Sequence, residues 1–210
     1  MSQLGTSRRG VPAHVITALR CNAGLRFLSG FLTLFMAFLL RQHPFPGWED
    51  YSTLLLGLVI GAAGLGNTVG TLVGSVLKSV RPQIVVVVVL VADVVVVTST
   101  TVIYSLVTAV ALGLTVGMCQ SLGKLSLDAL IQREVPETVR TSVFARSETL
   151  LQLSWVVGGF VGILVPLQPE RIGLGLTAAL LVGWLAWILR SSATAAPGTP
   201  NRPQHEAFPS

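Results

Sequence analysis

The sequence predicts an all-α polytopic membrane protein with six transmembrane helices, and three observations carry that prediction. Hydrophobic residues make up 51% of the chain and charged residues 11%, with a mean hydropathy of +0.73, whereas about a quarter of an average soluble domain is charged. The apolar residues gather in runs long enough to cross the roughly 30 Å hydrocarbon layer of a bilayer. When six such runs are threaded back and forth, all but Arg41 and Arg171 of the 14 Lys and Arg fall on one side. Basic residues accumulate in loops that are not translocated, so that side is expected to be cytoplasmic, with both termini on it, in a multi-pass protein of the cell (plasma) membrane.

Residues 1–18 read as a polar cytoplasmic arm. Arg8 and Arg9 raise the alternative of a twin-arginine export signal, but Pro12, His14, Arg20, Asn22 and Arg26 interrupt the stretch after them, and no small-residue cleavage site appears. The first span, about 23–40, keeps Arg26 in its opening turn, where a long side chain can reach the headgroups. The turn RQHPFPGWED comes next, and its Trp48 and the neighbouring Tyr51 favour the headgroup level. No charge lies between Thr53 and Leu77, so the second span, about 53–77, reaches about 37 Å and crosses with some tilt. Gly66, Gly70 and Gly74 recur every fourth residue in it, and Gly57 and Gly61 repeat the spacing, so small residues line one side and let another backbone come close. The run ends at Lys78 and Arg81.

From Ile84 to Cys119 the chain is apolar except for Asp93. That is too long for one span and suits two, about 84–98 and 102–122, joined by a hairpin at Thr98-Ser99-Thr100-Thr101. The valine runs 85–89 and 94–97 would suggest a strand in a soluble protein, but a membrane strand alternates polar and apolar residues and these do not, so helix is expected. Residues 123–148 are the charge-dense part of the chain and are expected to form a cytoplasmic amphipathic loop. Leu127, Leu130 and Ile131, at i, i+3 and i+4, would lie along the headgroups until Pro136 stops the helix. The last two spans, about 149–167 and 172–189, end near Pro166 and near Arg190. The Ser/Ala/Pro-rich segment 191–210 reads as a disordered cytoplasmic tail.

The net charge of +5 is explained by this topology, so no nucleic-acid partner is expected. Cys21 and Cys119 lack a CxxC or His/Cys cluster and point to neither a disulfide nor a metal, and no cofactor is expected. An intramembrane protease would need a serine activated by an intramembrane histidine, with donors for the oxyanion. His14, His43 and His205 fall in arms or loops and Ser29-Gly30 lacks the surrounding pattern, so no enzyme is expected.

Two stretches carry a family resemblance. Residues 121–167, SLGKLSLDALIQREVPETVRTSVFARSETLLQLSWVVGGFVGILVPL, resemble the cytoplasmic loop between helices ten and eleven, plus helix eleven, of major facilitator superfamily transporters. Residues 70–82, GTLVGSVLKSVRP, resemble the signature loop of that superfamily, with Gly70, Gly74, Lys78 and Arg81 in place and its acidic residue missing. The resemblance implies the C-terminal six-helix half of such a transporter, built from two inverted three-helix repeats, with the third and sixth helices at the periphery. It implies transport of a small solute by alternating access, either proton-coupled or driven by another ion gradient, with an N-terminal six-helix half or a second copy as partner. The competing expectation is a non-transporting membrane scaffold or an inactive fragment of a split or truncated transporter.

Alternating access needs a polar path near the bilayer midplane, so polar residues within spans are the candidates. Glu148, Gln152 and Trp155 share a helical face that continues through Gly159 and Gly162; with Asn67 they are the candidate substrate path, Glu148 at its cytoplasmic mouth. The structural alternative pairs Glu148 with Arg146 or Arg140 as a clamp, and has Asn67 and Thr68 tie helices together. Asp93, about ten residues into its span, is a costly carboxylate suited either to carrying a proton or to bonding a neighbouring helix. Gly66, Gly70, Gly74, Lys78, Arg81 and Arg140 are the gating and packing candidates, and Arg26 either meets an anionic substrate or snorkels. The expected partners are the lipid bilayer and a small-molecule substrate whose identity no residue pattern gives.

Overall fold

The computed structural model describes residues 12–76, 81–167 and 169–193. Residues 1–11, Lys78 and the tail beyond residue 193 lie outside them, and with them the gating role expected of Lys78 and the disorder expected of the tail. Six helices make up the described chain: α1 Ala13–Gln42, α2 Ser52–Val76, α3 Pro82–Val102, α4 Leu106–Glu134, α5 Glu137–Leu164 and α6 Glu170–Ala193. All six are long and apolar enough to cross a membrane, and no strand occurs among the described residues. The chain is therefore an all-helical, multi-pass membrane protein.

Three boundaries differ from the sequence expectation. Helix α1 begins at Ala13, some ten residues early, because its polar residues find partners instead of breaking the helix. Asn22 Nδ2 donates to the Ala18 carbonyl within α1 and to the Gly123 carbonyl of α4, both at 3.0 Å. The hairpin expected at Thr98–Thr101 is helix. Each of these four hydroxyls bonds back to the carbonyl four residues earlier, at 2.7 to 2.9 Å, and so needs no water and no turn. The chain reverses at Ile103–Ser105 instead, where Ser105 and Thr108 form a reciprocal capping box that opens α4.

The third difference is the largest. The expected loop 123–148 does not exist as a loop: α4 runs on to Glu134 and α5 starts at Glu137, leaving only Val135 and Pro136 between them. Leu127, Leu130 and Ile131 are fully buried in the bundle core rather than laid on headgroups, which is why the helix continues. Arg140 reinforces the corner by donating from Nε and Nη2 to the Val135 carbonyl at 3.3 and 3.2 Å.

The helices pack in two layers. A front row runs α2, α4, α1, α5, and behind it α3 rests on α4 and α1 while α6 rests on α1 and α3. Close approach in the front row depends on missing side chains. A Cβ at Gly66 of α2 would fall on the Leu114 carbonyl of α4, and one at Gly117 of α4 would fall on the Ala63 carbonyl of α2. At the other end of the row, Gly158 of α5 meets the Phe27 carbonyl of α1 and Gly30 of α1 meets the Trp155 carbonyl of α5 in the same way. Exchanging α1 with α4, α2 with α5 and α3 with α6 thus carries one backbone contact onto the other.

Gly57 and Gly61 do not join this contact; both are exposed and a Cβ on either would meet nothing within 4 Å. Five residues separate Gly61 from Gly66, a rotation of about 140° around the helix, so the two glycine series point in different directions. The core itself is centred on α1, where the rings of Phe31 and Phe35 stack at 5.0 Å. A smaller cluster closes one end of the bundle, with Phe45 packed 4.9 Å from Tyr104 between the α1–α2 and α3–α4 connections.

Candidate functional site

The charged candidates gather between the middle of α1, the second half of α4 and the first half of α5. Lys124 of α4 reaches Glu148 Oε2 of α5 at 2.7 Å and lies 3.2 Å from Asp128 Oδ1, one turn along its own helix. Neither partner anticipated for Glu148 is used. Arg140 engages the Val135 carbonyl and Glu137, 3.6 Å away, and Arg146 is exposed with no ion pair among the described residues. Lys124 is the residue that sequence reasoning missed, although a signal was present: it stands twelve residues before Pro136 and Glu148 twelve after, so an antiparallel helix pair hinged at that proline brings them level. Reading the segment as a loop hid that symmetry.

This pair bridges α4 and α5, two neighbours that otherwise hardly touch. Its side chains are 27% and 45% exposed, which places it among ion pairs that contribute under about 1 kcal/mol. Glu148→Gln is accordingly expected to cost less than about 1 kcal/mol in a detergent-unfolding titration. A loss of about 3 kcal/mol would instead mark a buried structural clamp.

The other path candidates divide between the two edges of the front row. On α2, Ser121 of α4 donates from Oγ to the Asn67 carbonyl at 2.8 Å and its hydroxyl also contacts Asn67 Oδ1, so Asn67 ties α2 to α4. On α5, Gln152 is exposed and Trp155 is half-buried, its carbonyl turned toward Gly30. Asn67 and Gln152 are therefore separated by α4 and α1, flanking one face rather than meeting in one pocket. Arg26 lies on α1 close enough to Glu148 for the two charges to interact.

Of the packing candidates, Gly66 and Gly70 are buried against the α4 backbone at Leu114 and Met118, and Gly74 faces the Leu125 side chain. Arg81 precedes α3 and opens on a cavity of about 470 Å³ at the same end of the bundle, shared with His14, Arg133 and Glu134. His14, expected in an arm, stands in the first turn of α1 with Nδ1 3.8 Å from Glu134.

Asp93 occupies the middle of α3 and is fully buried. Its carboxylate oxygens have no conventional hydrogen-bond donor among the described residues; the neighbouring polar group is the Cys119 thiol of α4, a weak donor. Helix α3 belongs to the second layer, so this acid sits behind the front row and not on the face that Asn67 and Gln152 flank. Among the described residues no group of three or more His, Cys, Asp or Glu side chains could hold a metal.

Among known proteins, the chain matches an uncharacterized protein of Mycobacterium leprae, 34% identical over 182 residues, and uncharacterized proteins of two strains of Mycobacterium tuberculosis, each 39% identical over 182 residues. The match takes in 87% of this chain and 31 to 32% of those proteins, so the chain spans about a third of the length of the curated relatives it matches. No family model and no solved structure matches it.

Proposed function

We propose that this bundle is one six-helix half of a major facilitator-type secondary transporter, moving a small solute by alternating access. The observation that carries the reading is the repeated backbone contact: α2 on α4 through Gly66 and Gly117, and α5 on α1 through Gly158 and Gly30. Three helices followed by three more with matching partners, entering the membrane in opposite directions, make an inverted repeat of the kind from which such transporters are built. The position of α3 and α6 in the rear layer supports it, since this leaves α2, α4, α1 and α5 as the wall along a path.

In this reading the front row faces a second six-helix unit, and the solute passes between them. Arg26, Lys124 and Glu148 stand in the basic half of that wall, where breaking the 2.7 Å pair frees α5 from α4 as the wall tilts. Asn67 and Gln152 flank the wall at membrane depth and offer hydrogen bonds to solute. The relatives, about three times as long as the matched segment, have length enough for a second six-helix unit. The test is flux. The chain, alone and joined to the remainder of a relative, is reconstituted in vesicles loaded with a pH-sensitive dye, and external solutes are screened for proton movement. Solute-dependent proton movement is expected from the joined protein; none from either form, with helical content intact and other ion gradients equally without effect, would leave the scaffold reading.

A further inference from the structure

A groove on the bundle's edge lies outside the front row's solute-facing side. Helix α6 rests on α1 and α3 while α5 barely touches it, and the gap between α1, α5 and α6 holds a cavity of about 480 Å³. That volume is typical of small-ligand sites, which run from about 300 to 1,000 Å³. Its walls are apolar, with Phe27 from α1, Leu150, Leu153 and Val157 from α5, and Leu181 and Trp184 from α6. The one hydroxyl in the lining, that of Ser154, is turned back onto the Leu150 carbonyl at 2.8 Å. The groove is built for a hydrocarbon chain and not for a polar solute.

The internal repeat makes the gap specific. Exchange of the two triplets carries the α1–α6 contact onto α4–α3, yet α3 lies along α4 far more extensively than α6 lies along α1. The loosening is particular to the second triplet. At the basic end, a shallower cavity of about 370 Å³ shares Leu150 and Leu153 with the groove and is bordered by Arg146. Arg146 is exposed and has no ion pair among the described residues. On the opposite wall the Arg20 guanidinium lies 4.7 Å from the Trp187 ring centre, and the Arg20 carbonyl accepts from Trp184 Nε1 at 3.0 Å. Two cations thus flank the mouth of an apolar groove where tryptophans mark the headgroup level.

We propose that this groove holds one acyl chain of an anionic bilayer phospholipid, its phosphate drawn to Arg146 and Arg20. Any lipid gains the same apolar burial, so the mark of the site is preference: each arginine near the membrane surface favours an anionic headgroup by about fivefold. The full chain is reconstituted in phosphatidylcholine vesicles, and its tryptophan fluorescence is quenched by phosphatidylglycerol or phosphatidylcholine carrying brominated chains. Half-maximal quenching is expected at a mole fraction at least about fivefold lower for the brominated phosphatidylglycerol. Replacing both Trp184 and Trp187, whose rings lie 5.2 Å apart, by phenylalanine should remove that preferential component. Arg146→Gln should reduce the preference about fivefold, and Arg41→Gln, at the other end of α1, should leave it unchanged. Equal quenching by the two lipids overturns the proposal. So does a preference that survives loss of both Trp184 and Trp187, which places the lipid elsewhere, or one that Arg146→Gln leaves undiminished with helical content intact. Failure of both lipids to reach Trp184 overturns it as well, because a protein segment then covers the groove.

Discussion

Leucine in place of Gly66 is expected to destabilise the bundle by about 3 kcal/mol or more, whereas leucine in place of Gly61, five residues away on the same helix, is expected to cost nothing. The difference is what each side chain meets. At Gly66 the first added atom collides with the Leu114 carbonyl, which belongs to the backbone of a buried helix and cannot rotate away. Overpacking a core commonly costs about 1 to 3 kcal/mol when side chains can adjust, and a backbone collision belongs at the upper end or beyond. The whole α2–α4 pair must separate, which also withdraws Gly117 from Ala63 and Ser121 from Asn67. At Gly61 no atom lies within 4 Å, and leucine is the better helix former by up to about 1 kcal/mol. Unfolding both variants and the parent in a denaturing-detergent titration, followed by helical circular dichroism, decides the point. Equal losses in the two variants would sink the packing account.

The second large effect is opposite in sign. Asp93→Leu is expected to raise stability by about 2 kcal/mol, because it removes a carboxylate from a fully buried position in the middle of α3, where no conventional donor meets it among the described residues. A charged residue at the centre of a membrane helix costs about 2.5 to 3.5 kcal/mol on insertion scales, and partial relief by water or by the Cys119 thiol brings the expected gain down toward about 2. The same titration separates the two roles that the sequence left open for this acid. A structural acid bonded to its neighbours loses stability when replaced, by about 1 kcal/mol or more. An acid retained for proton carriage gains stability and loses proton-coupled flux together.

Particular residues explain why some of this was legible in the sequence and some was not. Apolar length and the one-sided distribution of Lys and Arg are properties of the solvent the chain must sit in, and they yielded six helices without reference to any partner. The series Gly66, Gly70, Gly74 was readable as a contact surface because its period matches the helix. Its partner was not readable, since Gly113, Gly117 and Ser121 of α4 keep the same four-residue spacing but lie about 50 residues on, and a period does not say which helix it faces. Gly57 and Gly61 share the spacing but not the phase, and phase relative to a neighbour is a tertiary fact. Thr98–Thr101 and the charged stretch 123–148 misled for a common reason: polar residues read as helix breakers or loops when their partners are invisible, and here those partners were carbonyls one turn back and a Lys on the adjoining helix.

The pairing of the front row also sets an order of events during synthesis. Helices that are consecutive in the chain touch only sparingly along the front row, while α2 has its principal contact with α4 and α1 with α5. Emerging from a ribosome at about 5 to 20 residues per second, α2 must wait about 3 to 12 seconds after its own completion for α4, exposing its small-residue seam to lipid meanwhile. Consecutive hairpins of that row therefore cannot lock in as they enter the bilayer. The bundle closes late, α2 on α4 first and α1 on α5 after it, and a nascent chain stalled before Leu164 leaves α1, the centre of the core, without the end of its main partner.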